Sequence, residues 1–374
     1  MKGRTSILYT LLLLLLFTSG CTQQHKSSQQ HQVDASMYAK HQSKINTDWT
    51  PYKGQIYHIF FHPVITKPEL AFNSKNPSAK GNNDWMVTTK EFKAAIEELH
   101  KNNFILIDPH DAFDFESSPI KKKTLKLPKN KKPLILSIDD MNYYDYMRGK
   151  GYDDRLVLDE SQHVVSETKD KHGKLIHSKK DDIVPILNDF VKDHPDFSLN
   201  GQKGVIGLTG YSGVLGYRTN ETDNKAYDQR KKDAIKVVEA MKRDGWTFAS
   251  HSYGHINFEK SSYKEIVNDT KRWEKEVAPI VGKTELFIFP HGAQDRNTPA
   301  YHFLIKEGHF KYFAGVGPNN FTDISTDNVY QDRVAIDGLN LYEFKYKLKP
   351  FVTPEKVYNK EDRAYFKGNK FYEN

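Results

Sequence analysis

Short apolar runs alternate with helix-length amphipathic stretches through most of this 374-residue chain, and that alternation admits few folds. Residues 56–61, 104–107, 134–138, 205–208, 246–249, 286–289 and 312–316 read as strands, and residues 89–103, 182–191, 232–243, 261–281 and 299–307 as helices. In the first helix Thr89 stands at the N-cap, and Phe92, Ala95, Ile96 and Leu99 fall on one face. Strands alternating with helices predict an α/β fold: a largely parallel sheet with helices outside it, open or closed into a barrel. Every strand then delivers its carboxyl end to one rim, where side chains from distant segments meet. Residues 148–180 interrupt the pattern. They are polar, with two short strands at 155–158 and 163–167 and a turn at His172-Gly173, and are expected to form an inserted hairpin. From about residue 345 the chain is basic, aromatic and aperiodic, as expected of a tail wrapping the domain.

The amino-terminal end has its own logic. Lys2 and Arg4 precede an apolar run over residues 7–17, followed by Thr18-Ser19-Gly20-Cys21. The run is short for a membrane span and ends in small residues, the pattern of an export signal. Cys21 is the only cysteine, so it has no internal disulfide partner. Thr18-Ser19-Gly20-Cys21 resembles a bacterial lipobox, with Thr18 in place of the usual leucine, which implies a lipid-anchored, extracytoplasmic protein on the bacterial cell membrane. Residues beyond Cys21 are polar and cannot bury a core. The expected division is therefore a signal peptide (1–20), a lipid-anchored linker (21–53), a catalytic domain (54–345) and a tail (346–374). Net charge is +7, to which Lys2 and Arg4 contribute two, so the excess is modest. An export signal argues against nucleic acid as a partner.

Chemistry gathers at three strand ends. Residues 134–138 run into Asp139-Asp140, residues 246–249 into Ser250-His251-Ser252-Tyr253-Gly254-His255, and residues 286–289 into Pro290-His291-Gly292. One carboxylate with two imidazoles suits Zn²⁺ or a similar divalent ion and leaves a coordination position open for water. Of two adjacent acids, one can ligate while the other serves as base. Tyr143, Tyr144 and Tyr146 follow the acid pair, where aromatic rings serve either sugar stacking or core packing.

These residues resemble the polysaccharide deacetylases, the NodB-homology or carbohydrate esterase 4 family. Ser137-Ile138-Asp139-Asp140-Met141 resembles that family's Thr-Phe-Asp-Asp-Gly motif, His251-Ser252-Tyr253-Gly254-His255 its His-Ser/Thr-x-x-His motif, and Phe289-Pro290-His291-Gly292 its Tyr-Pro-Tyr-Gly motif. His58-Ile59-Phe60-Phe61-His62-Pro63 is similar to an early strand of exported members. The resemblance spans about residues 54–340. It implies a distorted (β/α) barrel that removes N-acetyl groups from a cell-surface glycan of the peptidoglycan or poly-N-acetylglucosamine type. It implies Asp140, His251 and His255 as ligands of a divalent metal, Zn²⁺ first and Co²⁺, Ni²⁺ or Mn²⁺ as alternatives. Asp139 is implied as general base, and His291 as the catalytic residue whose backbone N–H meets the oxyanion. Pro290, Gly292, His62 and Arg333 are implied to shape the substrate surface.

Three departures from the family pattern bear on activity. Met141 replaces a glycine, so its backbone must avoid positive φ or carry strain. Ile288 stands where many members place an arginine that orients the base. No histidine follows His309, so the late histidine that supplies the general acid is missing, leaving His291, His62 or Asp139 to protonate the leaving amine. Arg333 either neighbours the base from a late strand or makes a surface salt bridge, and His62 is either a buried histidine of the first strand or a site residue. Two other functions share the pattern: a weakly active or inactive lipoprotein that binds wall glycan, and a metal-dependent hydrolase of another bond.

Overall fold

The structure, a computed structural model, describes residues 48–292 and 295–366. Seven parallel strands form its centre: β1 (Tyr57–Phe61), β2 (Lys132–Ile138), β3 (Gly204–Leu208), β4 (Trp246–Ser250), β5 (Leu286–Ile288), β6 (Tyr312–Val316) and β7 (Val329–Ala335). They pair in the order β3-β4-β5-β6-β7-β1-β2, and β2 pairs back onto β3, so the sheet closes into the expected distorted (β/α) barrel. Closure depends on β2 changing partners along its length. Its amino half pairs with the strand Phe104–Leu106 (Phe104 opposite Lys132), and its carboxyl half pairs with β3 (Val205 opposite Ser137).

The two-residue period of the strands separates two cores. Leu134, Leu136 and Ile138 face outward onto α1 (Thr89–Lys101) and α2 (Ile183–Asp193), sharing a cluster with Phe92, Ile96, Leu99 and Leu187. Ile135, Val205, Ala249, Ile288, Tyr312 and Ala314 face inward. Phe113, Phe115, Ile120 and Leu125, from the connection between Phe104–Leu106 and β2, join that inner cluster and plug the amino-end mouth of the barrel. Three further helices cover the outside: α3 (Tyr227–Arg243), α4 (Tyr263–Glu276) and α5 (Pro299–Lys306).

Several local expectations are corrected. The N-cap of α1 is Thr88, not Thr89, because only from Thr88 does the third residue fall on Glu91, whose carboxylate accepts from the Thr88 N–H at 2.9 Å to complete a capping box. The helix expected over 261–281 is two, Tyr263–Glu276 and Ala278–Val281, separated where Pro279 removes a backbone donor. The insertion is not a hairpin but a three-stranded antiparallel sheet, Arg155–Leu158, Val164–Lys169 and Leu175–Ser178. Strand β7 was anticipated only through Arg333.

The segment assigned to the linker carries a short strand, Trp49–Pro51, against Lys126–Pro128. At the other end, Leu348, Phe351, Val352 and Val357 enter the outer core, and the short helix Lys360–Arg363 brings Arg363 to Glu91 at 2.7 Å with both side chains buried. Cys21 and the export signal lie outside the described residues. Among the described residues no helix is long and apolar enough to cross a membrane.

Candidate active site

The carboxyl-end rim receives Asp139 and Asp140 from β2, His251 and His255 from β4, His291 from β5, His62 from β1, and Arg333 from within β7. Asp140, His251 and His255 each offer one ligand atom, all within 4.8 Å of one another. Asp140 Oδ1 stands 3.9 Å from His251 Nε2, and Oδ2 stands 3.6 Å from His255 Nε2. Ligand atoms on a tetrahedral zinc with bonds of about 2.1 Å are roughly 3.4 Å apart, so little movement separates this arrangement from coordination.

The ring orientations also fit a metal. His251 Nδ1 lies 2.9 Å from the Ile288 carbonyl, which only accepts, so Nδ1 carries a proton and Nε2 is the nitrogen turned toward Asp140. Burial, then the neighbouring His251, hold the His255 imidazole down at about 4, neutral at physiological pH. The Tyr144 hydroxyl, kept protonated by burial and by Asp140, donates to Asp140 Oδ1.

The backbone is committed to this geometry. Asp140, Ser252, His255 and His291 all have φ between 50° and 65°, a region that L-residues seldom occupy and that clusters at functional sites. Met141 is absent from that set: it is a buried core residue, and Asp140 before it takes the positive φ. Asp269 of α4 holds the β4 loop by accepting from Tyr253 N–H and Gly254 N–H, both at 2.7 Å. The buried Asn142 amide bridges the β2 loop to Thr209, donating to its carbonyl at 2.8 Å and accepting from its N–H at 3.1 Å.

Asp139 points into the barrel beneath this cluster. Burial alone would raise its pKa, but the Arg333 guanidinium, 2.7 Å from Oδ1, and His251 more than offset that and hold it at about 2. Arg333 is fully buried, so the surface salt bridge is ruled out. It reaches Asp139 from β7, while at Ile288 it is the backbone carbonyl that meets His251 Nδ1.

Residues 221–303 match the family model described as Polysaccharide deacetylase. The match takes in α3, β4, His251, His255 and His291, and stops short of Asp139, Asp140 and Arg333. No curated protein matches the chain. Solved structures similar to it include the Streptococcus pyogenes deacetylase PplD in complex with acetate, at 14% identity and TM-score 0.44 over 82% of this chain and 97% of that one. IcaB from Ammonifex degensii aligns at 11% identity and TM-score 0.41 over 77% and 94%. The chitin deacetylase of the fungal pathogen Colletotrichum lindemuthianum aligns at 14% and 0.22 over 47% and 77%.

The remaining expected residues sit around the same opening. His291 is exposed, its ring edge-on to His255 with centroids 4.4 Å apart. His62 is half-buried rather than a buried strand histidine; its Nδ1 lies 3.1 Å from the Trp85 carbonyl. Pro290 is buried and Gly292 has φ +64°, where a Cβ would fall 2.6 Å from Val316.

Other residues went unforeseen. His58 bridges Tyr312 Oη (2.8 Å) and Ser137 Oγ (3.0 Å), and Ser137 Oγ accepts from Arg333 at 3.0 Å. Burial and then Arg333 push His58 well below its usual range, so it is neutral. The alternation of β1 and β7 places His58, Gln331 and Arg333 on the inner face. Tyr144 stacks between Tyr146 and Tyr211, with centroids at 5.4 and 5.0 Å, and the two outer rings are exposed. Nothing in the local sequence ties Tyr211 to Tyr144.

Proposed function

We propose that this chain is a metal-dependent hydrolase that removes N-acetyl groups from a cell-surface polysaccharide of the peptidoglycan or poly-N-acetylglucosamine type. The observation that carries the reading is the convergence of Asp140, His251 and His255 at an open rim beside an ionised, Arg333-paired Asp139. The family model over residues 221–303 supports the same chemistry. When bound, a divalent ion, Zn²⁺ foremost, supplies a Lewis acid for the acetamide carbonyl and lowers the pKa of water.

The chain's own residues do the rest. Asp139 takes the proton of the attacking water, held in place by Arg333. The backbone N–H of His291 donates to the developing oxyanion, an interaction whose loss typically costs about 3–4 kcal/mol of barrier. The His291 ring returns a proton to the leaving amine in place of the missing late histidine. His62 is less free for that task because its Nδ1 is engaged by the Trp85 carbonyl. Tyr146 and Tyr211 offer exposed faces to sugar rings, and Pro290 and Gly292 shape the approach. Cys21, by its lipobox-like setting, anchors the protein to the outer face of the cell membrane, and residues 21–53 tether the catalytic domain.

The purified chain, loaded with Zn²⁺, is expected to release acetate from chito-oligosaccharides or wall glycan. His255→Ala should lose the ion at this rim, and His291→Gln should lower turnover more than His62→Gln. A metal-loaded wild type that frees no acetate from any N-acetylated glycan would leave the glycan-binding lipoprotein as the better reading.

A further inference from the structure

We propose a second divalent-cation site at the opposite, amino-end rim of the barrel, built from His100, His194 and Asp196. Their ligand atoms, one from each, lie within 4.8 Å of one another. His100 sits in the last turn of α1, His194 directly follows the end of α2, and Asp196 lies in the single turn Pro195–Phe197. These positions precede the strands that α1 and α2 lead into, which puts the cluster a full strand length from Asp140.

Three features favour a cation there. His100 Nε2 is 2.9 and 3.0 Å from the two Asp196 oxygens, so imidazole and carboxylate are already in register. The His194 ring tilts against His100 with centroids 4.7 Å apart and makes no hydrogen bond among the described residues, which leaves a ring nitrogen available. Both α1 and α2 point their carboxyl ends at the cluster, and the partial negative charge of two helix termini attracts a positive ion. Phe190 and Phe197 flank the imidazoles and lower the local dielectric. Two nitrogens and one carboxylate select Zn²⁺, Cu²⁺ or Ni²⁺ over Mg²⁺ or Ca²⁺.

Lys131 sets the affinity. Its ammonium, nearly buried, lies 2.8 Å from Asp196 Oδ2 and competes for the carboxylate, leaving Oδ1 to ligate. An ion held here cross-links the end of α1 to the connection that leads into β3.

Zn²⁺ binding measured by equilibrium dialysis with elemental analysis tests the site on the full chain. His255→Ala, which removes the carboxyl-end ion, is expected to retain one ion at micromolar free Zn²⁺ and to melt at a higher temperature when Zn²⁺ is added. Adding His194→Ala, or the milder His194→Gln, should abolish both effects. Lys131→Met in the His255→Ala background should tighten binding roughly tenfold by removing a competing charge. The proposal fails if His255→Ala binds no Zn²⁺, if both His194 variants keep the ion, or if Lys131→Met leaves the affinity unchanged.

Discussion

The two rims of this barrel bring together the same three donors in unlike settings. At the carboxyl end the candidate ligands follow strand ends, Asp140 and His255 on left-handed backbone, and the Asp140 carboxylate is steadied by a neutral phenol, Tyr144. At the amino end they hang from helix termini, and the carboxylate is shared with a lysine. At the carboxyl end a buried acid, Asp139, stands beside the cluster, paired with the buried Arg333. A ligand triad by itself therefore says little about chemistry; the adjacent base and the open face separate a hydrolytic centre from a cross-link.

The largest effect expected is from Asp139→Asn, which should cut turnover by about 10³-fold, within the range for general bases, while Zn²⁺ stays bound at the carboxyl end. Acetate release with parallel metal analysis checks both halves, and ion loss in this variant would mean that Asp139 is a ligand.

Next in size is Arg333→Met. It leaves a buried carboxylate unpaired and should destabilise the fold by about 3–5 kcal/mol in urea unfolding. Because Asp139 is depressed in the folded state, its contribution to wild-type stability is present above the ordinary carboxylate range and is lost as pH falls toward about 2. In the variant, burial loses its main opponent, so the acid limb of kcat/KM should move to higher pH. An unchanged limb would detach Arg333 from the base.

Tyr144→Phe should weaken Zn²⁺ at the carboxyl end by about 10- to 100-fold, as loss of an outer partner usually does, and leave the amino-end ion untouched. Equal weakening at both ends would dissolve the contrast. Smallest is Tyr146→Ala, which removes one exposed ring of the stack; a contact worth about 0.5–1.5 kcal/mol should raise KM by roughly 2- to 10-fold with kcat preserved.

Much of the carboxyl end was legible because strand-end motifs are local: once 134–138, 246–249 and 286–289 are strands, a parallel barrel must bring Asp140, His251 and His255 to one rim. Arg333 was ambiguous because a lone basic residue near a strand looks alike whether it faces water or the barrel interior. Its burial follows from the register of β7, which the apolar pattern conceals because Gln331 and Arg333 occupy inner positions. The His58–Ser137–Arg333 chain and the Tyr146–Tyr144–Tyr211 stack depend on contacts between strands and loops distant in sequence, which no local window contains. The third strand of the insertion escaped notice because Leu175 and Ile176 lie on an exposed edge and show no alternation.

The plug of Phe113, Phe115 and Ile120 carries a consequence for topology of access. With the far mouth filled, no glycan chain can thread the barrel. A long polymer worked on at the open rim therefore lies across it, with both arms outside the barrel.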